Sequence, residues 1–323
     1  MGKFNWGTHE IKSENVILAG YDTFNDLKSA QKYCTKIAKA NYENFIISNW
    51  FTPKDIKQHI QNIYAFCRYG DDLGDDSPFP PSERLSLLNE WMDDLERAFH
   101  SEKKPWSGNP RHPILIAVSH TANIFQIPIT PFKRLIEAFK FDQDKIRYNN
   151  YQELKNYCIH SADPVGHLFL YIYGHKSEEL QKISDFTCTA LQLANHWQDV
   201  SRDLDQDRIY MPIDEMEKFN YSLKDYQKRT VNDEWRALMR FQVERTRELF
   251  EKGTELWDKV DSRLAVDLRM FTMGGLAVLD AIEKQGYDTW NKRPKISKLK
   301  QIRMLMASRK LWKEAHKKGK GMG

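Results

Sequence analysis

The sequence contains no apolar run that approaches the roughly 18 residues a membrane-spanning helix requires. Its first residues also lack the charged-then-apolar pattern of a secretory signal peptide. It has only four cysteines, Cys34, Cys67, Cys158 and Cys188, and they form neither a Cys-x-x-Cys pair nor a zinc-binding spacing. We therefore expect a cytoplasmic protein whose thiols are reduced.

Alternation of apolar and polar residues with a period of two, which is typical of strands, is nearly absent. Helical periodicity instead predicts helices over residues 24–41, 54–71, 82–100, 112–125, 131–143, 150–173 with a break, 178–204, 231–257 and 261–285. Connections such as residues 101 to 110 are too short to separate domains. We therefore expect one all-α bundle with an interior pocket over residues 1 to 290.

A row of polar residues stands out in the helix predicted over 178–204. Asn195, Asp199 and Asp203 are four residues apart and continue the line of Ile183 and Leu191, so an apolar stripe turns into a row of oxygen ligands. Burying carboxylates is costly without a compensating cation, and hard oxygen ligands suit Mg²⁺. A solvated acidic face is the alternative that periodicity alone leaves open.

An upstream helix repeats this pattern. The apolar line that includes Ile60 and Tyr64 continues into Asp71 and Asp75, and Arg68 lies one turn before Asp71. Two helices that each end an inward stripe in carboxylates can hold a diphosphate through several Mg²⁺ ions. An arginine at this position can add a bidentate contact to phosphate.

The ten histidines offer no comparable signal, because no His-Glu-x-x-His pair is present. His196 follows Asn195 directly, and a helix turns about 100° per residue, so we expect its ring to point away from the acidic row. Most histidines are expected at the surface or at helix ends.

The two acidic rows and their flanking residues resemble the squalene and phytoene synthase family, in consistent order over roughly residues 25 to 290. The motifs that carry the resemblance are Tyr64-x3-Arg68-x2-Asp71-Asp72-x2-Asp75-Asp76, Tyr157-Cys158, Val165-Gly166, and Gln192-Leu193-x-Asn195-x3-Asp199-x3-Asp203-x4-Arg208-Ile209-Tyr210-x-Pro212. Either acidic motif alone is a weak signal, whereas both together are specific. The resemblance implies a single-domain, isoprenoid-synthase-like helical bundle with a central cavity.

The resemblance to this family also implies a prenyl-type diphosphate substrate and a role for individual residues. The implied metal ligands, for several Mg²⁺ ions, are Asp71, Asp75, Asn195, Asp199 and Asp203. The implied catalytic residues are Asp71, Asp72, Asp75, Asp199, Asp203 and Tyr64. The implied substrate-binding residues are Arg68, Arg208, Tyr210, Glu43, Asn44, Phe45, Val165, Gly166 and Gln192.

The segment around Pro164 breaks a helical pattern, because proline cannot donate a backbone hydrogen bond. Gly166, which has no side chain, lets neighbouring atoms come close to the backbone, so we expect a kink here. By the resemblance, this kink borders the hydrocarbon cavity. An ordinary turn between helices is the alternative. The form Ala162-Asp163-Pro164-Val165-Gly166 differs from the Ala-Gly-x-Val-Gly form commoner in the family, and so indicates another branch.

The reaction type depends on Asn41-Tyr42-Glu43-Asn44-Phe45. This stretch is similar to the His-Tyr-Glu-Asn-Phe pattern of bacterial hydroxysqualene synthases and lacks the serines usual in condensing members, although Asn41 replaces the histidine. Glu43 or Asn44 could orient a water molecule beside a carbocation. The alternative is that these residues are ordinary core and polar positions. No Gly-x-Gly-x-x-Gly motif is present, and we predict no nicotinamide cofactor.

Three functions therefore stay open. The first is Mg²⁺-dependent conversion of presqualene diphosphate to hydroxysqualene, and the second is condensation of two prenyl diphosphates by a squalene or phytoene synthase. The third is a non-catalytic assembly factor, which the intact acidic motifs disfavour.

The tail formed by residues 291 to 323 has a different composition. It holds nine Lys and three Arg against one acidic residue, Glu314, so the rest of a chain whose formal charge is only +4 is net negative. Apolar residues recur among these cations at roughly helical spacing, at Ile296, Leu299, Ile302, Leu305, Met306 and Trp312. The pattern predicts peripheral contact with an anionic membrane surface. A solvated end is the alternative, and nucleic acid is not an expected partner, since no recognition motif is present.

Overall fold

The computed structural model describes residues 26–40, 54–76, 78–101, 103–144, 147–304, 306, 307, 310 and 311. The helices before the middle of the chain are α1 Leu27–Ala40, α2 Lys54–Asp71, α3 Pro81–Phe99, α4 Pro113–Phe125, α5 Thr130–Asp144, α6 Tyr151–Ser161 and α7 Asp163–Ile172. Those that follow are α8 Glu178–Asp205, α9 Ile213–Lys218, α10 Leu223–Gln227, α11 Asp233–Gly253 and α12 Ser262–Lys284. The predicted all-α class is confirmed.

Three short elements interrupt this pattern. A π-helical turn, Asp72–Asp76, continues α2, and a 3₁₀ turn, Thr254–Asp258, continues α11. Strands β1 His100–Ser101 and β2 Lys104–Pro105 form a small antiparallel pair after α3. None of the three spans enough residues to give a periodic signal in the sequence.

The chain forms two compact units. Unit 1 comprises Asn5–Lys145 and Pro164–Lys176, and unit 2 comprises Ile146–Asp163 and Ser177–Gly323. The expected division into a domain over residues 1 to 290 and a tail over 291 to 323 stays a prediction.

Unit 1 is built around the aromatic side chains of α2 and α3. The ring centroids of Tyr69 and Trp91 are 4.7 Å apart, and His112 at the start of α4 lies 4.6 Å from Tyr69. Phe66 packs edge-on against Phe132 of α5 at 5.1 Å. These contacts fix the last turns of α2, which is the part of the helix that carries the acidic residues.

Unit 2 is built around α8, which packs against α11 and α12. Trp197 of α8 is buried and donates its indole N–H to Thr246 Oγ1 of α11 at 2.9 Å. Local signals start the neighbouring helices: the Asn232 side chain caps α11 and the Asp261 side chain caps α12. The residues of α8 are thereby held at fixed positions between two long helices.

Candidate active site

In unit 1, the predicted apolar line along α2 ends in a buried carboxylate. Ile56, Ile60 and Ile63 are buried, and Asp71, the last residue of α2, is only 8% exposed. Arg68 donates from Nη1 to Asp71 Oδ2 at 3.3 Å and also forms an ion pair with Asp72. The arginine one turn upstream therefore bridges two carboxylates of the acidic motif.

The turn that carries these carboxylates is fixed by α3 and α5. A Cβ at Gly70 would come within 2.3 Å of the Phe139 ring, so only glycine allows α5 to pack this closely. The Gly74 carbonyl accepts from Arg84 Nη1 at 3.0 Å and from Gln143 Nε2 at 3.1 Å. The π-helical turn is therefore held on both sides by side chains of neighbouring helices.

Burial shifts the pKa values at this end of α2. Burial and the neighbouring Asp75 carboxylate raise the pKa of Asp71 to about 7, although Arg68 opposes the rise. Burial also raises the pKa of the Tyr64 hydroxyl, and it raises that of Tyr33 to about 12, with Asp72 contributing. Burial thus disfavours the charged form of Asp71, an effect that a bound cation would offset.

In unit 2, the second acidic row is also buried. Asp199 is 2% and Asp203 6% exposed, Gln192 is fully buried, and Asn195 is partly exposed. The alternative of a solvated acidic face is therefore wrong for the two carboxylates. The role of the row as metal ligands stays a prediction.

Asp199 has a partner that sequence reasoning missed. Arg293, which follows α12, donates from Nε to Asp199 Oδ1 at 2.6 Å and from Nη2 to Oδ2 at 3.0 Å. It also donates to Gln198 Oε1 at 2.9 Å, and Gln198 in turn donates to the Pro294 carbonyl at 2.7 Å. The sequence analysis counted Arg293 only as part of the basic tail, and no local motif distinguishes it.

Tyr210 and Arg208 follow α8 and pack back against it. The Arg208 backbone N–H donates to the Asp203 carbonyl at 2.8 Å, which closes the end of the helix. Tyr210 is buried and stacks on the His196 ring with 3.7 Å between centroids. Their predicted contacts with diphosphate stay predictions.

His196 corrects one expectation. It is 1% exposed and packs against Tyr157 and Tyr210 of the hydrophobic core rather than lying at the surface. Its ring lies 6.1 Å from that of Tyr157, and burial holds the pKa of the imidazole well below its usual range. Helix α8 is packed on several sides, so a residue beside the acidic row is buried as well.

The remaining predicted residues have different outcomes. The expected helix break is confirmed, because α6 ends at Ser161 and α7 begins at Asp163. Val165 and Gly166 are half-buried in α7. Glu43, Asn44 and Phe45 lie outside the described residues, so their assignments stay predictions.

The donor chemistry can be compared with the expected Mg²⁺. Among the residues that the structure describes, no three His, Cys, Asp or Glu side chains converge into a complete metal site. The oxygen donors nevertheless fit the ion, because Asp71, Asp199 and Asp203 are buried carboxyl groups and Mg²⁺ prefers oxygen ligands. Each acidic row therefore has the carboxylates that a cation would stabilise.

Known proteins resemble this chain in sequence and in fold. The squalene/phytoene synthase family model matches residues 23–300. The chain is 39% identical to squalene synthase HpnC from Alicyclobacillus acidocaldarius, whose crystal structure superposes with a TM-score of 0.75 over 81% of this chain and 95% of that one. A dehydrosqualene synthase crystallised with a ligand shares the fold, with 23% identity and a TM-score of 0.78 over 91% of this chain and all of that one.

Sequence relatives point the same way. The phytoene synthase of Arthrospira platensis is 30% identical over 289 residues, which cover 84% of this chain and 90% of that protein. The 15-cis-phytoene synthase of Synechococcus elongatus is 30% identical over 283 residues, covering 83% and 88%. With its isoprenoid-synthase-like helical fold and its two acidic rows, the chain belongs to the squalene/phytoene synthase family of enzymes that act on prenyl diphosphates.

Proposed function

We propose that this protein converts presqualene diphosphate and water to hydroxysqualene and diphosphate, with Mg²⁺ and without a reductant, in squalene and hopanoid biosynthesis. The observation that carries the choice of a C30 substrate is the 39% identity to a squalene synthase over 95% of that chain, against 30% to phytoene synthases. The similarity of residues 41–45 to the pattern of hydroxysqualene synthases supports water, rather than hydride, as the terminating group.

The acidic rows would hold the metal. In unit 1 the ligands are Asp71 and Asp75, and in unit 2 they are Asn195, Asp199 and Asp203. Bound Mg²⁺ would neutralise the charge that develops on the leaving diphosphate. Asp71, Asp199 and Asp203 are buried, so a cation bound there would meet carboxyl groups that folding has already desolvated.

Two arginines stand beside these carboxylates. Arg68 in unit 1 and Arg293 in unit 2 each donate to a buried aspartate. A guanidinium can bind phosphate oxygens through two parallel hydrogen bonds. Once a metal ion compensates the aspartate that it contacts, each arginine can donate to phosphate oxygens instead.

The test compares substrates. Purified protein is incubated with Mg²⁺ and either presqualene diphosphate or farnesyl diphosphate, with and without a nicotinamide cofactor, and the products are identified by mass spectrometry. We expect hydroxysqualene from presqualene diphosphate without the cofactor. Efficient joining of two farnesyl or geranylgeranyl diphosphates by this protein alone would establish the condensing alternative, and no turnover of any substrate would favour an assembly factor.

A matched pair of variants tests the acidic row. Asp203 is buried, whereas Asp205, two residues later on the same helix, is exposed and paired with Arg229. We expect Asp203→Asn to lower turnover by at least ~100-fold, as removal of a group that stabilises developing charge does, and Asp205→Asn to change it little. Full Mg²⁺-dependent turnover in the Asp199→Asn, Asp203→Asn double variant would refute the metal assignment.

The basic tail predicts where in the cell this reaction takes place. No helix in the described part of the chain is long and apolar enough to cross a membrane. Residues 298–304 are helical, and the side chains of Leu299, Ile302 and Met306 are 60%, 54% and 59% exposed among lysines and arginines. Exposed apolar residues on a cationic helix suit a membrane interface, where each basic residue contributes about 1 kcal/mol. We propose peripheral attachment, which would bring the enzyme to its water-insoluble product.

Sedimentation with anionic vesicles tests this attachment. Binding should weaken as salt is added, and it should disappear when residues 295 to 323 are deleted. Equal binding by the truncated protein would rule out the tail as the attachment site.

A further inference from the structure

Three buried polar side chains of unit 2 have no hydrogen-bond partner among the residues that the structure describes. Ser161 is 1% exposed, Gln192 is fully buried and His196 is 1% exposed. The atoms without a partner are Ser161 Oγ, both polar atoms of the Gln192 amide and both ring nitrogens of His196. Because buried polar groups in proteins are almost always paired with protein or with ordered water, these atoms indicate a bound polar ligand.

Helices α6 and α8 bring the three side chains to one interface. The rings of Tyr157 and His196 are 6.1 Å apart, and Asp163 Oδ1, two residues beyond the end of α6, accepts from Thr189 Oγ1 at 2.9 Å. These two contacts show that the helices run in opposite directions, and the serine and the glutamine lie between them on α6 and α8. We call the set Ser161, Gln192 and His196 the polar niche.

The surroundings of the polar niche limit what can bind there. Tyr210 covers one face of the His196 ring. The two nitrogens at the edge of the His196 ring stay available for hydrogen bonds. Ser161, Gln192 and His196 are themselves at most 1% exposed, so bulk solvent does not reach them. A hydroxyl, an amide and an imidazole offer both donors and acceptors, which suits one water molecule with its usual ~3 hydrogen bonds.

The polar niche lies on the same side of α8 as the acidic row. At about 100° per residue, Gln192, His196, Asp199 and Asp203 fall within an arc of about 60°. With a rise of 1.5 Å per residue, His196 and Gln192 are roughly 5 and 11 Å from Asp199 along the helix axis. A diphosphate bound at Asp199 would therefore lie about one to two helical turns from the polar niche.

We propose that the polar niche binds one water molecule and that this water supplies the oxygen of the product alcohol, an inference that rests on the proposed function. The C–O bond to diphosphate breaks and its electron pair leaves with the diphosphate. The water oxygen then shares a lone pair with the carbocation, and the proton that it loses passes to the departing diphosphate. Ser161, Gln192 and His196 are positioning residues, which hold the water without taking its proton.

The first test measures the product ratio. In Ser161→Ala and His196→Phe, the cation loses its positioned water, so we expect the ratio of alcohol to hydrocarbons formed by proton loss to fall at least ~10-fold. The control is Thr189→Val on the same helix, which removes a buried hydroxyl whose partner is Asp163 and should leave the ratio unchanged. A general loss of stability would lower the rate but not this ratio, and if His196→Phe does not fold, Ser161→Ala decides the result. An unchanged ratio in the folded variants would overturn the proposal.

The second test does not need turnover. A high-resolution crystal structure of the full chain without substrate should show a water molecule within hydrogen-bond distance of atoms from at least two of the three side chains. A dry niche would overturn the assignment even if the wild-type enzyme makes alcohol. Wild-type protein that forms no alcohol from presqualene diphosphate would overturn the proposed function and the role of the water, while the crystal structure would still decide whether the niche binds it.

Discussion

Asp71 makes the stability of the folded protein depend on pH in a way that can be measured without substrate. Folding raises the pKa of Asp71 from 3.8 to about 7, mainly because the carboxyl group is buried and also because Asp75 is near. Between these two values the folded state keeps a proton that the unfolded state has lost. The contribution of this group to stability therefore falls as the pH rises from about 4 to about 7 and is constant above that.

The size of the effect follows from the pKa change. At about 1.4 kcal/mol per pH unit, a rise to about 7 corresponds to on the order of 4 kcal/mol, which is an upper limit. Asparagine has a similar shape and does not titrate. We therefore expect Asp71→Asn to match the wild type near pH 4 and to be more stable than the wild type at pH 8, by up to ~4 kcal/mol.

Urea denaturation followed by far-UV circular dichroism, at several pH values from 4 to 8, measures this difference. The control is Asp55→Asn, which changes an exposed carboxylate in the first turn of the same helix and should give a difference from wild type that varies little with pH. Mg²⁺ with diphosphate should reduce the advantage of Asp71→Asn, because a bound cation favours the ionised carboxylate. A difference between Asp71→Asn and wild type that is independent of pH would refute the reasoning.

Three further changes can be tested by thermal unfolding. Gly70→Ala should destabilise unit 1 by about 1–3 kcal/mol, because the new Cβ overlaps the Phe139 ring; unchanged stability would contradict this packing. Arg293→Ala leaves Asp199 buried without its bidentate partner and should cost about 3–5 kcal/mol, part of which Mg²⁺ should restore; no loss without metal would contradict the ion pair. Ser222→Ala removes the capping box of α10 and should cost about 1 kcal/mol, whereas a neutral result would make that cap dispensable.

The long helices were predictable because each repeats its apolar positions over several turns. The predicted segments 54–71 and 178–204 agree with α2 and α8 to within one residue at each end. Helices α9 and α10 contain six and five residues, so neither completes two turns, and the sequence analysis missed both. Periodicity needs several repeats before it can be distinguished from chance.

The burial of the acidic row was also predictable, whereas its partner was not. Asp199 and Asp203 continue an apolar stripe on one helix, a pattern that favours burial although it leaves a solvated face open, and the structure places both carboxylates inside. Arg293 reaches Asp199 from 94 positions later in the chain, and the contact exists only because the segment after α12 folds back onto α8. An arginine among many basic residues has no feature in the sequence that marks it as an internal ion-pair partner.

The polar niche shows a different limit of prediction from sequence. The expectation for His196 compared its direction with Asn195 alone, one residue away, and so placed the ring off the acidic row. Between Gln192 and Val200, however, every residue of α8 except Asn195 is buried. A helix packed on nearly all sides buries polar residues that lie beside the row as well as on it, and each of those residues then needs a partner. The stripe therefore identifies the carboxylates that we predict to bind a cation, whereas the side chains that would place a water molecule can be found only from the packing of α6 against α8.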